Sequence, residues 1–369
     1  MKISVYSQDF LAAVEKALQI VPARSAFPVI QNVMIEADAG KKVIILSATD
    51  MNRSVRVECD ATIVESGVCL FGNEQFKILK KMGKNELTLE AENVEVPVVK
   101  LTCGKRKYDY RSADISQYPE LEMNKADNMT VCAMMHEQDF LDAMIRLNKT
   151  TSINDTQKLF GYYHMNFAEA RMETLDGYRI GIRELSDARI MNAEHSVMIS
   201  AESLKAFKKL IGKDDNMIWF ATNRKYNQVR SAGWMYMEKN PDGEFWDCNK
   251  LISMDRNAEF YIEKDAMKDA MDYTLSLPCA DIKKPVIMEI TDGGLNVSRV
   301  AAEGQVEDVI GVEEYYGNFE RSGYDPRYLL DAINNVDTDR VKIGWTSPKA
   351  PMILSGDLYQ FVVLPVNVG

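Results

Sequence analysis

The sequence predicts an α+β protein built from three copies of one unit, each with two helices packed on antiparallel strands. Three openings look alike: "ISVYSQDFLAAVEKAL" from Ile3, "VCAMMHEQDFLDAMIRL" from Val131 and "EFYIEKDAMKDAMDYTL" from Glu259. Each is a short alternating strand, then a polar helix start, then apolar residues at helical spacing. Gln8-Asp9-Phe10-Leu11 returns as Gln138-Asp139-Phe140-Leu141 at an offset of 130, and Lys264-Asp265-Ala266-Met267 follows 126 later. A second helix also recurs late in each unit, at 73–84, 200–213 and 325–336.

Between the two helices, "VIILSATDMNRSVRVE" (43–58), "ARMETLDGYRIGIRE" (170–184) and "VIMEITDGGLNVSRV" (286–300) each read strand, acidic turn, strand. Asp-Gly in "TLDGYRI" favours a tight turn with positive φ. That heptapeptide is thus expected to be one of three equivalent hairpins, with Leu175, Tyr178, Arg179 and Ile180 free for other work. Asp325 before Pro326 predicts an N-cap and first turn, and Ser200 with Ser203 predicts similar capping. Closing strands bring each unit to about eight. The boundaries fall at 1–128, 129–256 and 257–369, with short joins at 121–130 and 251–260 and no Pro/Gly/Ser-rich linker.

The chain of 369 residues is 46% hydrophobic and 27% charged, ordinary for a soluble globular protein. It has no apolar run long enough to span a bilayer. "MKISVYSQDF" lacks the apolar centre of a signal peptide, which predicts a cytoplasmic protein. The six cysteines form no CxxC pair, so they read as buried free thiols; neither a metal nor a cofactor is predicted.

Net charge is −11, yet the late helices of the first two units are basic. Lys77, Lys80 and Lys81, extended by Lys84, align with Lys205, Lys208 and Lys209, extended by Lys213. Residues three and four apart share a helix face, with Ile78, Leu79, Phe207 and Ile211 expected on the buried side. Segment 73–83 sums to +2 and 200–213 to +3. Lysines at this spacing without interleaved aromatics suit phosphate contact and not base reading. The third unit breaks the pattern, keeping Arg327 but adding Asp325 and Asp331. No dinucleotide loop, P-loop, HExxH or GxSxG motif is present, and no pair of carboxylates stands out. The catalytic set is therefore empty.

At this point "RSAFPVIQNVMI" (24–35), "LSATDMNRSVRV" (46–57), "TLDGYRI", "KPVIMEI" (284–290), "YLLDAIN" (328–334) and the ending "TSPKAPMILSGDLYQFVVLPVNV" weigh together. In this order, along a threefold repeat, they resemble the bacterial replication sliding clamp family, the beta subunit of DNA polymerase III, over the whole chain. The resemblance implies the DNA clamp fold and a ring of two chains joined head to tail. Twelve helices would face the hole, and duplex DNA would thread through without being read. It also implies a processivity factor that tethers the replicative polymerase and also docks the clamp-loader ATPase and repair proteins. The implied DNA set is Arg24, Lys77, Lys80, Lys81, Lys84, Arg146, Lys149, Lys205, Lys208, Lys209 and Lys213.

The family's pocket for short Leu- and Phe-anchored motifs maps first to Leu159, Leu175, Gly177, Tyr178, Arg179 and Ile180. Trp246, Lys250 and Leu251 follow, then Tyr324, Asp325, Tyr328, Pro348 and Ala350. Val362, Val363, Leu364, Pro365 and Val366 complete it. The implied dimer contact sets Tyr108 and Tyr110 against Leu275 and Leu277 of a second copy. Leu175, Trp246 and Asn367 depart from common family residues, so the preferred motif is expected to differ. The competing reading is an adaptor of the same fold that binds peptides without loading on DNA, motivated by the acidic third unit. A carboxylate enzyme ranks behind both.

Overall fold

The computed structural model describes residues 1–124, 127–152, 158–279 and 284–367; part of the first predicted join, at 125–126, lies outside the described residues. The protein is α+β, with antiparallel sheets and seven α-helices among the described residues. These are α1 (Ser7–Ala17), α2 (Asn73–Leu79), α3 (Glu137–Leu147), α4 (Leu204–Leu210), α5 (Asn249–Ile252), α6 (Lys264–Ser276) and α7 (Pro326–Asn335). Nine described strands fall in each of 1–128, 129–256 and 257–369, one more per copy than the alternation pattern gave. The chain forms two compact units, residues 1–141 with 188–241, and residues 142–187 with 242–369.

The long helices are held by one repeated stripe. Phe10, Ala13, Val14 and Ala17 are buried on α1, Phe140, Ala143, Met144 and Leu147 on α3, and Met267, Ala270, Met271 and Thr274 on α6. Spacing i, i+3, i+4, i+7 is one face of a helix. The third offset is therefore 127, one more than the sequence alignment took: the large buried side chain opposite Phe140 is Met267, not Ala266.

In the first unit, one sheet runs in the order Thr62–Glu65, Lys2–Tyr6, Glu86–Ala91, Val98–Cys103, Arg106–Arg111. The other runs Arg189–Ile190, Thr130–His136, Met217–Thr222, Tyr226–Ser231, Trp234–Lys239, Arg53–Asp60, Val43–Thr49, Asn32–Ala37, Gly67–Gly72. It crosses from one copy to the next where Trp234 to Glu238 pair antiparallel with Val57 to Arg53. The second unit repeats the device. There Arg179 to Arg183 pair antiparallel with Val363 to Tyr359, the last strand of the third copy. In both junctions, the strand after the acidic turn pairs with the final strand of the following copy.

Sheet order corrects one alignment. The third copy's smaller sheet runs Gly304–Ile310, Gly294–Ala301, Val286–Thr291, Ser322–Tyr324. This matches Arg53–Asp60, Val43–Thr49, Asn32–Ala37, Gly67–Gly72 in the first copy. The Asp292-Gly293 turn is thus one hairpin earlier than "TLDGYRI", and the equivalent turn in the third copy is at Ala302-Glu303. The similar strand–turn–strand pattern of adjacent hairpins hid the slip. Gly294 answers to its own constraint: its φ is +127°, and a Cβ there would lie 2.3 Å from the Ile310 carbonyl oxygen.

The late helices are shorter than predicted. α2 ends at Leu79, where Lys80 caps it, and Gly83 takes φ +115°. Lys81 and Lys84 therefore lie in the following turn. The α2 core face is Phe76, Leu79 and Met82, while Ile78 is 41% exposed, against expectation, because it sits about 200° around the helix from Phe76. α4 follows a 3-10 turn, Ala201–Ser203, and stops at Leu210, leaving Lys213 beyond it. Ser200 and Ser203 make no capping bond. Their hydroxyls bond each other at 2.8 Å, and Ser203 also meets the buried Tyr236 hydroxyl. Asp325 does cap α7, accepting from the Arg327 amide at 2.9 Å. Five of the free cysteines are buried, and Cys279 is half-buried.

Candidate functional site

The Asp176–Arg179 turn is built by its own side chains. Asp176 Oδ1 accepts from the amides of Tyr178 (2.9 Å) and Arg179 (3.1 Å), and Oδ2 accepts from Arg179 Nε at 2.9 Å. The first copy repeats this bond for bond: Asp50 accepts from the Asn52 and Arg53 amides and from Arg53 Nε, at 3.0, 2.7 and 2.8 Å. An aspartate that hydrogen-bonds two residues ahead fixes such a turn. Gly177 has φ +91° where the first copy forces Met51 to +78°. A Cβ on Gly177 would also press to 3.3 Å from the Phe160 ring.

That turn opens onto an apolar cavity of about 250 Å³ lined by Phe160, Leu175, Gly177, Arg179, Ile180, Trp246, Leu251, Val362 and Leu364. Beneath it lies a packed cluster of Leu175, Ile180, Ile182, Cys248, Ile353 and Val362. The strand pairing explains the convergence. Ile180 sits opposite both Leu175 and Val362, and Arg179 opposite Val363. The volume is below the ~300–1,000 Å³ of pockets that enclose drug-sized ligands. It suits one or two apolar side chains presented on a peptide.

The wall opposite the turn is segment 242–252. Cys248 is 1% exposed, and burial pushes its thiol up from the ordinary range. Phe245 stacks on His164 at 4.5 Å, and His164 Nδ1 lies 2.9 Å from the buried Glu173 carboxylate. These anchors leave Trp246 in the lining and 38% exposed. Lys250 Nζ stands 6.0 Å from the Trp246 ring centroid.

Beside the cavity, Tyr178 (59% exposed) stacks on Tyr328 at 5.9 Å. Arg179 lies 4.4 Å over the Tyr328 ring and pairs with Asp331 at 2.7 Å. Burial, with Asp176 and Asp325 nearby, raises the Tyr328 phenol. The Leu364 amide donates to the Tyr178 carbonyl at 3.0 Å, and Val366 to Gly323 at 2.8 Å, so the stretch after the last strand is tied down through Val366.

Of the residues assigned to the pocket from sequence, the cavity thus gathers Leu175, Gly177, Arg179, Ile180, Trp246, Leu251, Val362 and Leu364. Leu159, Tyr178, Lys250, Asp325, Tyr328, Pro348, Ala350, Pro365 and Val366 fall outside its lining. Tyr324 and Val363 also fall outside that lining and are buried. Val363 alternates with Val362 and Leu364 to the other side of the strand. Phe160 was missed; the signal was Gly177, whose lack of a side chain makes room for a ring.

Among the polar candidates, Arg24, Lys80, Lys81, Lys84, Lys149, Lys205, Lys208 and Lys213 are exposed. Lys77 and Lys209 are exposed too, but pair with Glu74 at 2.7 Å and Glu15 at 3.1 Å. Arg146 is half-buried, paired with Asp142 at 2.8 Å and donating to the Asn335 and Val336 carbonyls. α1 packs against both α2 and α4, which places both lysine groups around one helix. Tyr108 and Tyr110 lie on the edge strand Arg106–Arg111 and stack at 5.7 Å, with the Tyr110 hydroxyl donating to the Leu70 carbonyl at 2.9 Å. Leu275 and Leu277 flank a cavity of about 270 Å³ at the end of α6, with Arg299 and Arg327.

Repeated α+β copies joined by strand pairing across their junctions define a repeat-built protein of the clamp fold. The family description of the DNA polymerase III beta subunit matches residues 1–122 with its N-terminal domain and 249–364 with its C-terminal domain. The chain belongs to that family. It is 20% identical over 384 residues to the beta sliding clamp of Staphylococcus aureus, covering 100% of this chain and 99% of that one. It is 22% identical over 366 residues to the beta sliding clamp of Streptococcus pneumoniae, covering 95% and 94%. The crystal structure of the DNA polymerase sliding clamp from Bacillus subtilis superposes with a TM-score of 0.87 at 17% identity, covering 100% of both chains.

Proposed function

We propose that this protein is a DNA sliding clamp: a head-to-tail homodimeric ring of three clamp domains per chain, 1–128, 129–256 and 257–369. It encircles duplex DNA without reading it and tethers the replicative polymerase. The clamp loader and repair proteins dock through short peptide motifs at the Leu175–Ile180–Trp246 cavity. The protein carries no catalytic activity of its own and works in the cytoplasm. One observation carries the ring. Two in-chain junctions pair the strand after the acidic turn with the last strand of the next copy. The matching pair left over, Gly304–Ile310 and Arg106–Arg111, are both sheet edges. Exposed edges are templates for pairing with another chain. Their charges are opposite: Glu307 and Asp308 on one, and Arg106, Lys107 and Arg111 against Asp109 on the other.

The test is charge exchange read by light scattering. Lys107→Glu with Arg111→Glu shifts the dimer toward monomer, and adding Glu307→Lys with Asp308→Lys to the same chain restores it. Dimers indifferent to both changes place the contact elsewhere. The acidic surface of α6, with Asp265, Asp269 and Asp272 exposed, favours the second reading, a peptide-binding adaptor that never loads on DNA. Topological retention on DNA separates the two.

A further inference from the structure

Segment 242–252 borders the apolar cavity and carries a net negative charge. It delivers Trp246 and Leu251 to the lining and is pinned from behind by Cys248 and by the Phe245–His164 stack. Its remaining charged side chains are free to face solvent. Asp242, Glu244 and Asp247 are exposed, and none makes an ion pair with a described residue. Asp247 accepts from the Asn249 amide at 3.1 Å, at the start of α5. Lys250 is the segment's one cation, so its formal charge is −2.

Among the described residues, the lining offers no compensating charge: Arg179 is its one cation there, and it is already neutralised by Asp176 at 2.9 Å and Asp331 at 2.7 Å while lying over the Tyr328 ring. A ligand therefore meets an apolar floor, a satisfied guanidinium and a net acidic rim. We infer that the cavity selects peptides whose apolar anchors are flanked by Lys or Arg, the cations lying along the 242–247 rim. This rests on the cavity being the peptide-docking site. Exposed ion pairs of this kind add modest, salt-screened attraction and set register.

The experiment compares three fluorescent peptides with the same Leu-Phe anchor, flanked by two Lys, two Gln or two Glu. Binding is followed by anisotropy at low and high salt. At low salt, the Lys-flanked peptide binds about threefold to tenfold more tightly than the Gln-flanked one, and the Glu-flanked one binds weakest. The spread closes at high salt and in the combined Asp242→Asn, Glu244→Gln, Asp247→Asn variant, whose fold is checked by circular dichroism. Equal binding of the three peptides overturns the inference, as does a spread that survives the triple change. Trp246→Ala distinguishes the underlying reading: it weakens all three peptides alike if the cavity is the docking site. Indifference to Trp246→Ala overturns the docking site itself and the inference with it.

Discussion

Removing Lys205 and Lys208 should weaken DNA association more than removing Lys77 and Lys209, although all four are exposed lysines on the same two helices. Lys77 and Lys209 already sit 2.7 Å and 3.1 Å from glutamates. Lys205 and Lys208 are exposed and make no ion pair with a described residue. A lysine that neutralises a phosphate releases condensed counterions and contributes about 0.9 to the slope of log K against log salt. A lysine that must first leave a carboxylate contributes less, because the glutamate it abandons repels the phosphate. Lys205→Gln with Lys208→Gln should therefore flatten the slope by up to about 1.8 for each chain in contact. Lys77→Gln with Lys209→Gln should flatten it by less than half as much. The assay is anisotropy of a labelled duplex across a salt series, with thermal melts confirming that both variants fold. Equal slope changes for the two pairs would refute the reasoning, since ion pairing would then not rank the lysines.

Trp246→Ala should weaken a Leu/Phe-anchored peptide by about tenfold, the scale of a central aromatic anchor, while shifting the melting temperature little, because the ring is 38% exposed; calorimetric titration beside a thermal melt checks both halves. In the native protein, Cys279 should react first with a thiol reagent. Burial pushes Cys59 and Cys69 up to about 12 and Cys132 to about 11, so rapid labelling of several thiols before unfolding would contradict the packing. Burial also raises the Glu238 carboxyl above its ordinary value despite its bonds to the Ser200 amide and Tyr236 hydroxyl. Its contribution to stability is fully present below the unfolded-state pKa and is lost as pH rises through the raised folded value. Glu238→Gln should thus gain on the parent in melting temperature as pH rises above the ordinary glutamate range, and parallel profiles would refute this.

Much of the architecture was legible because the repeat amplifies weak signals. The stripe on α1 recurs on α3 and α6 in the same four places, and Asp325-Pro326 caps α7 as its residues imply. What failed was whatever depends on partners distant in sequence. Alternation marks a strand but not its place in a sheet, so the third copy's hairpins slipped by one. Ser200 and Ser203 look like caps until Tyr236 and Glu238 claim them. At the site, Leu175, Ile180 and Val362 were found because a turn and a terminal strand frame them, whereas Phe160 gave no local sign. Tyr178 and Arg179 also part company. Arg179 repeats the structural role of Arg53, each bridging its turn aspartate to a second carboxylate, Asp331 or Glu202, so removing it should cost stability. Tyr178 is exposed, and Tyr178→Ala is the cleaner probe of a partner.

Loading the protein onto nicked circular DNA with a matching clamp loader, then linearising the DNA, tests the central claim most directly. A ring that encircles the duplex stays bound to the circle and is lost once an end is cut. Equal retention on circular and linear DNA would show that the protein grips its partner without encircling it.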